Sequence, residues 1–276
     1  MDAHATTLGH DRPYLARSEP LPRQRDDVTP QWLTRLLANR YPGIVVRDLE
    51  TIEVESTHTT KVRLRWELND VGRAAGIPET VCLKCNWSGL RTGNICELEA
   101  RFYEALGSSL AGLVPATFYA DWDDDRRGNG IVVMEDLALT PGAFGANDDD
   151  LGVDGVAAGL EALARIHAAS WGDPRLESWN WLPRSMDTPN DTDQVILYWN
   201  YILYNLTDES HAGAVPAWVH ESPERLAHAL DELSAYEREH RGPACIVHGD
   251  AHQGNSFLRA GGQRIWLDWQ MVRKGR

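Results

Sequence analysis

Between residues 44 and 135 apolar and polar positions alternate in short runs, the period-2 pattern of half-buried strands. Ile44–Glu55 and Thr60–Leu68 read as two strands joined by the polar turn Ser56-Thr57-His58-Thr59, and Thr80–Asn86 as a third. Pro115–Trp122 and Gly130–Met134 read as two more, flanking the acidic turn Asp123-Asp124-Asp125. Asn69–Glu79, with Gly72, Gly76 and Pro78, reads as a loop. Helical spacing enters this half twice. Thr29 can cap a helix whose first turn holds Pro30 and whose apolar stripe is Trp32, Leu33, Leu36 and Leu37. A second helix starts near Asn94, where Asn94-Ile95-Cys96-Glu97 fits a capping box and Leu98, Phe102, Ala105 and Leu106 supply a buried face.

Beyond residue 150 the period changes to that of helices. Asp154–Trp171 carries Leu160, Leu163, Ala164 and His167 at helical spacing, and Asp193–Asn205 and Pro223–His240 are further helix candidates. Trp171–Asp191 is rich in Pro and Trp and reads as irregular. Cys245–His248 is a short apolar strand, and Ser256–Arg259 and Arg264–Asp268 flank Gly261-Gly262 as a hairpin. The pattern predicts an α+β chain: a polar arm over 1–27 with Pro13, Pro20 and Pro22, a strand-rich half over 28–137, and a mainly helical half over 138–276.

Composition narrows the partners. With 27 Lys and Arg against 41 Asp and Glu, a formal charge of −14, the chain is poorly suited to nucleic-acid backbones. No apolar run is long enough to span a bilayer, and the N-terminus lacks the apolar core of a secretory signal, so a cytoplasmic location away from membranes is expected. Composition says nothing of oligomeric state. Cys82 and Cys85 resemble half of a metal motif. Residues three apart on a strand face opposite sides, however, and no second pair follows, so buried structural thiols are expected there and at Cys96 and Cys245.

The densest chemistry lies in His248-Gly249-Asp250-Ala251-His252-Gln253-Gly254-Asn255, followed by Leu267-Asp268-Trp269. An Asp, an Asn five positions on, and a second Asp ending an apolar strand supply what phosphoryl transfer needs. One carboxylate lies near an acceptor hydroxyl, and an amide oxygen with another carboxylate holds Mg²⁺ on the phosphates. Asp250 is the candidate for the hydroxyl's proton or orientation, Asn255 and Asp268 for the metal, and His248 for bracing the loop. His252 has no assigned role. Two other readings compete: an Asx-rich turn with exposed carboxylates, and a zinc hydrolase site in which alternating His248, Asp250 and His252 share one face. Lys84, a lone cation on an apolar strand, is the candidate for the nucleotide phosphates. Its carboxylate partner is Glu97 or Glu99. Glu97 belongs to the capping box and the solvated face, whereas Glu99 shares the inward face with Phe102 and Leu106, so Glu99 is chosen. Glu135, Asp136 and Leu137 end the strand Ile131–Met134 where the halves meet, and their backbone groups are candidates for adenine.

These residues resemble the aminoglycoside phosphotransferase and choline kinase superfamily, nearest its ecdysteroid-kinase-like (CHK kinase-like) branch. The resemblance is carried by Val81-Cys82-Leu83-Lys84, Glu99-Ala100-Arg101-Phe102-Tyr103, Val133-Met134-Glu135-Asp136-Leu137, Leu163-Ala164-Arg165-Ile166-His167-Ala168, the loop from His248 to Asn255, and Leu267-Asp268-Trp269-Gln270. It implies a protein-kinase-like two-lobed fold, ATP and Mg²⁺ as cosubstrates, and a hydroxyl-bearing small molecule as acceptor: an amino sugar, an amino alcohol, or a sterol-like or macrolide-like alcohol. Two departures stand out. The phosphate-covering turn, Glu55 to Lys61, contains no glycine, leaving the hydroxyls of Ser56, Thr57, Thr59 and Thr60 as substitutes. The chain also stops at Arg276 where such proteins continue with several helices, so a fragment or a minimal, truncated C-terminal lobe is expected. Both departures favour an alternative, a kinase-like binding module without turnover. A protein Ser/Thr kinase is disfavoured, because no activation segment ends in Ala-Pro-Glu. Trp179, Trp181, Tyr198, Trp199, Tyr201 and Tyr204, with Asp191, Asp193, Asp208 and Glu209, could line a pocket for a cationic acceptor or equally an apolar alcohol, but core packing is the expected role for most of these aromatics.

Overall fold

The computed structural model describes residues 21–87, 93–123, 128–146, 151–184, 216–222 and 242–275, with scattered positions between 225 and 240. Alternation builds a five-stranded antiparallel sheet from β1 (Val46–Ser56), β2 (Thr60–Leu68), β3 (Thr80–Cys85), β4 (Thr117–Trp122) and β5 (Gly130–Glu135), ordered β1-β2-β3-β5-β4. One face of this sheet packs on α1 (Pro30–Ala38), which buries Trp32, Leu33, Leu36 and Leu37. The helix starts where Thr29 Oγ1 accepts the N–H of Trp32 at 3.1 Å. The other face packs on α3 (Ile95–Leu106) and on the second half of the chain. β3 therefore sends Val81, Leu83 and Cys85 into one core and turns Cys82 and Lys84 towards the other. The two cysteines lie on opposite faces, and all four cysteines are free thiols.

The second half holds β6 (Gly142–Phe144), α4 (Gly152–Ser170), α5 (Arg175–Ser178), α6 (Ala217–Glu221), β7 (Cys245–Val247), β8 (Ser256–Arg259), β9 (Arg264–Trp266) and β10 (Arg273–Gly275). The hairpin β8–β9 turns at Gly262 and gains β6 as a third strand, while β7 pairs with β10. Trp269 stacks on Phe102 of α3, with ring centroids 4.0 Å apart and planes at 13°, so one core runs from the sheet through α3 into the second half. The architecture is α+β. Among the described residues no helix is long and apolar enough to cross a membrane.

Several expectations are corrected. The loop over Asn69–Glu79 contains a short helix, α2 (Asp70–Ala74), because Asn69 Oδ1 accepts the N–H of Gly72 at 3.3 Å. The capping box at Asn94 does not form. Glu97 pairs with Arg101 Nε at 2.9 Å instead of reaching back, and its backbone N–H donates to Gly128 O. The buried face of α4 is Gly159, Ala162, Ile166 and Ser170, and Leu160 is exposed; Gly and Ala are so frequent in this helix that Leu positions alone do not mark its face. Leu21–Asp27, expected in a loose arm, are anchored. Leu21 is buried, its N–H donates to Asp123 Oδ1, and Pro22 O accepts the Trp87 indole at 2.7 Å. The rest of the arm, the helix over 193–205, most of the helix over 223–240, and Tyr198, Trp199, Tyr201, Tyr204, Asp191, Asp193, Asp208 and Glu209 lie outside the described residues. Trp179 is fully buried and packed against Trp181, a core role.

Candidate active site

A cleft of about 360 Å³ opens between the sheet and the β8–β9 region. Lys84, Glu99, Glu135, Asp136, Leu137, Asn255 and Asp268 all line it. Lys84 reaches it because β3 alternation turns this side chain away from the α1 core. Its Nζ lies 2.8 Å from Glu99 Oε2 and 3.0 Å from Asp268 Oδ1. Glu99 is placed by α3, on the face that also buries Phe102, Tyr103 and Leu106. Glu99 Oε1 accepts from Lys84 Nζ at 3.0 Å and from the backbone N–H of Trp269 at 3.2 Å. One buried carboxylate thus joins β3, α3 and the segment after Asp268.

Burial works against the charge on Lys84, yet the carboxylates of Glu99 and Asp268 outweigh it and hold the ammonium above its usual range. Burial pushes the Glu99 carboxyl up, with Lys84 pulling it back and Asp268 adding to the rise. One ammonium facing two carboxylates leaves this cluster short of positive charge. Burial also pushes the Cys82 thiol in the cleft up to about 11. The Tyr103 hydroxyl, buried at the cleft, has no hydrogen-bond partner.

Asp268 stands at φ 60°, ψ 62°, a left-handed conformation taken by no other non-glycine residue among those described. Asp and Asn tolerate this region better than other side chains, and such strain collects at working sites. Across the loop, Asn255 donates its amide N–H groups to Asp250 O at 3.0 Å and Asp250 Oδ2 at 3.1 Å. With Nδ2 committed, Oδ1 is the face of Asn255 left for a ligand. Gly249, at φ 83°, passes so close to the chain that a Cβ there would stand 1.9 Å from Met271 O.

His248 braces the loop at both ends. Its Nε2 bonds Leu267 O at 2.6 Å, its Nδ1 accepts the N–H of Asp250 at 3.3 Å, and its ring lies 4.5 Å from Trp269. This pattern fixes a neutral ring with the proton on Nε2. Burial also holds the pKa of His248 below its usual value. With both nitrogens engaged, His248 is not a metal ligand, which removes the zinc-site reading. Among the described residues no group of three or more His, Cys, Asp and Glu side chains could hold a metal. One carboxylate with one amide oxygen suits Mg²⁺ instead, which keeps waters and completes its shell with substrate phosphates.

Two ion pairs at the end of β5 escape sequence reasoning. Arg259 grips Glu135 bidentately at 2.8 and 2.7 Å, and Arg63 donates to Asp136 at 3.0 and 3.2 Å. The carboxylates of both Glu135 and Asp136 are thus tied to protein. The only sequence signal is Arg on strands next to the cleft, which gives no partner. At the β1–β2 turn, Ser56 Oγ and Thr60 Oγ1 bond each other at 3.2 Å.

A family model described as the phosphotransferase enzyme family matches residues 92–276. No curated protein sequence matches the chain. Among solved structures the chain is similar to a spectinomycin phosphotransferase in complex with ADP and spectinomycin, at 13% identity and TM-score 0.45, covering 90% of this chain and 70% of that one. It is also similar to a macrolide 2′-phosphotransferase from Brachybacterium faecium (19% identity, TM-score 0.44, covering 89% and 73%). An ethanolamine kinase from Plasmodium vivax gives 10% identity and TM-score 0.48, covering 89% and 61%.

Proposed function

This chain belongs to the phosphotransferase enzyme family, and from that premise we propose that it moves the γ-phosphoryl group of ATP to a hydroxyl of a small molecule. The observation that carries the reading is the convergence of Lys84, Glu99 and Asp268 within 3.0 Å on the cleft wall that also holds Asn255, the partner of Asp250. Lys84 is the cation for the nucleotide phosphates, held on target by Glu99. Backbone groups at Glu135, Asp136 and Leu137 receive the base. Asp250 orients the acceptor hydroxyl and takes its proton as the new O–P bond forms and the bond to the departing ADP breaks. Asn255 and Asp268 are the residues that would hold Mg²⁺, which supplies positive charge to the phosphate oxygens when bound. His248 holds Asp250 in place through the backbone N–H. Within the family the motif from Glu99 to Tyr103 and the loop from His248 to Asn255 support the ecdysteroid-kinase-like branch, and the chain's acidity supports an enzyme whose partners do not include nucleic acid.

The test is ATP consumption with Mg²⁺ over a panel of amino sugars, amino alcohols, sterols and macrolides. Asp250→Ala and Asp268→Ala should each lower kcat by about 10² or more. Full activity in both variants would sink the assignment. A second reading, a binding module without turnover, is favoured by the absence of glycine from the turn Glu55 to Lys61, whose N–H groups approach phosphates less freely. Titration calorimetry separates the two: no heat with ATP and Mg²⁺ in a folded sample supports the second.

A further inference from the structure

Positive charge on the wall of the cleft is unevenly committed. Among the described residues the lining holds three basic side chains, Lys61, Arg63 and Lys84. Arg63 lies between Glu53 at 2.8 Å and Asp136 at 3.0 Å, and Lys84 between Glu99 and Asp268. Lys61 meets one carboxylate, Glu55, at 3.4 Å, and the two side chains are 41% and 56% exposed. A pair so open to solvent contributes little and is readily exchanged for another anion.

Strand register fixes where each cation stands. β2 pairs with β3 so that Lys61 is directly opposite Lys84 and Arg63 directly opposite Cys82. Opposed residues of antiparallel strands send their side chains to one face, with Cβ atoms about 5 Å apart. Lys61 therefore stands at the end of the cleft that holds Lys84 and Asp268, whereas Arg63 stands beside Asp136, at the end assigned to the base. Like charges across a ladder repel, and Lys61 leans instead to Glu55, its register partner on β1. An anion held between the two ammonium groups removes that repulsion. The turn joining β1 to β2 offers phosphates little else. It has no glycine, Thr57 spends its N–H on Thr59 O at 2.9 Å, and Thr59 and Thr60 are buried.

Resting on the phosphotransfer reading above, we propose that Lys61 is a second cation for the nucleotide phosphates, leaving Glu55 to face Lys84 across the phosphate oxygens. A side-chain charge here takes the place of the N–H groups with which a glycine turn holds phosphates. Glu55 competes with the nucleotide for Lys61 and so tunes its affinity.

The experiment is titration calorimetry of the full chain with ATP and with adenosine, Mg²⁺ present, alongside ATP consumption over the acceptor panel. Lys61→Met, Lys61→Arg, Glu55→Gln and the double variant Lys61→Met with Glu55→Gln are compared with wild type. Lys61→Met should weaken ATP about tenfold and leave adenosine within about twofold, with Lys61→Arg close to wild type. Glu55→Gln should tighten ATP about threefold, a gain lost in the double variant because the two sites are coupled. An unchanged ATP affinity in Lys61→Met, an equal loss for ATP and adenosine, or a Glu55→Gln gain that survives in the double variant overturns the assignment. Turnover in wild type with an ATP affinity indifferent to Lys61 would overturn the role of Lys61 and leave phosphotransfer standing. Lys61-dependent ATP binding with no turnover of any acceptor would sustain Lys61 as a phosphate ligand and bring down phosphotransfer.

Discussion

At the scale of single residues, Gly249 shows how backbone geometry governs chemistry. With φ at 83° and Met271 O where a Cβ would go, Gly249→Ala must displace the loop that carries Asp250. A loss of about 2 kcal/mol or more is expected, read as a lower midpoint in urea unfolding; an unchanged midpoint would contradict the geometry. The glycine, Asp250 and Asn255 were legible because they fall within a few positions of one another, where chain connectivity leaves little freedom. Glu99 was legible through helical period, since its neighbours on the inward face are Phe102 and Leu106. Glu97 was not legible. Its capping role lost to an Arg one turn on and to a carbonyl at Gly128 that only tertiary packing brings near.

At the scale of elements, strands were read more accurately than helices. β2 begins and ends where alternation placed it, because a half-buried strand must show its period. β6 and β10 were invisible, each being three residues defined by a distant partner. The buried face of α4 is unmarked in the sequence because Gly159, Ala162 and Ser170 form most of it, while the larger Val153, Val156 and Leu160 stand exposed. Between elements, the Arg259–Glu135 clamp fastens β8 to the end of β5. Glu135 is partly buried, and despite burial Arg259 keeps its carboxyl below the usual range. Arg259→Met should cost about 1–3 kcal/mol by leaving that carboxylate with no counter-charge from β8, held only by the Thr140 hydroxyl and the Ala116 N–H. It should also raise the KM for ATP more than it lowers kcat, since it loosens the strand end proposed to receive the base and not the loop proposed for catalysis. A kcat loss with unchanged KM would show that the clamp serves the chemistry instead.

At the scale of the whole molecule, protonation couples the loop to stability. The neutral form of His248 is the one its two hydrogen bonds require, and burial lowers the pKa of both His248 and His167 from 6.5. In the unfolded chain each takes up a proton below about 6.5, while the folded protein resists. Stability should therefore be full above pH 6.5 and fall as the pH drops below it, by up to about 1.4 kcal/mol per pH unit for His248 and by less for the solvent-screened His167. Urea unfolding between pH 7.5 and 5 measures this, and His248→Gln should flatten the slope. The sequence could not show the shared core, because nothing local says that Val132 and Met134 of the sheet meet Ile166, Ile246, Trp269 and Val272. That core has a consequence for the order of synthesis. The sheet and α3 leave the ribosome first, but one of their apolar faces waits for the chain around Trp269. At bacterial-to-eukaryotic speeds the delay is about seven to twenty-seven seconds. For that interval each nascent copy displays Phe102 without the Trp269 ring that stacks on it, a window in which chaperones compete with neighbouring polysomes for the same surface.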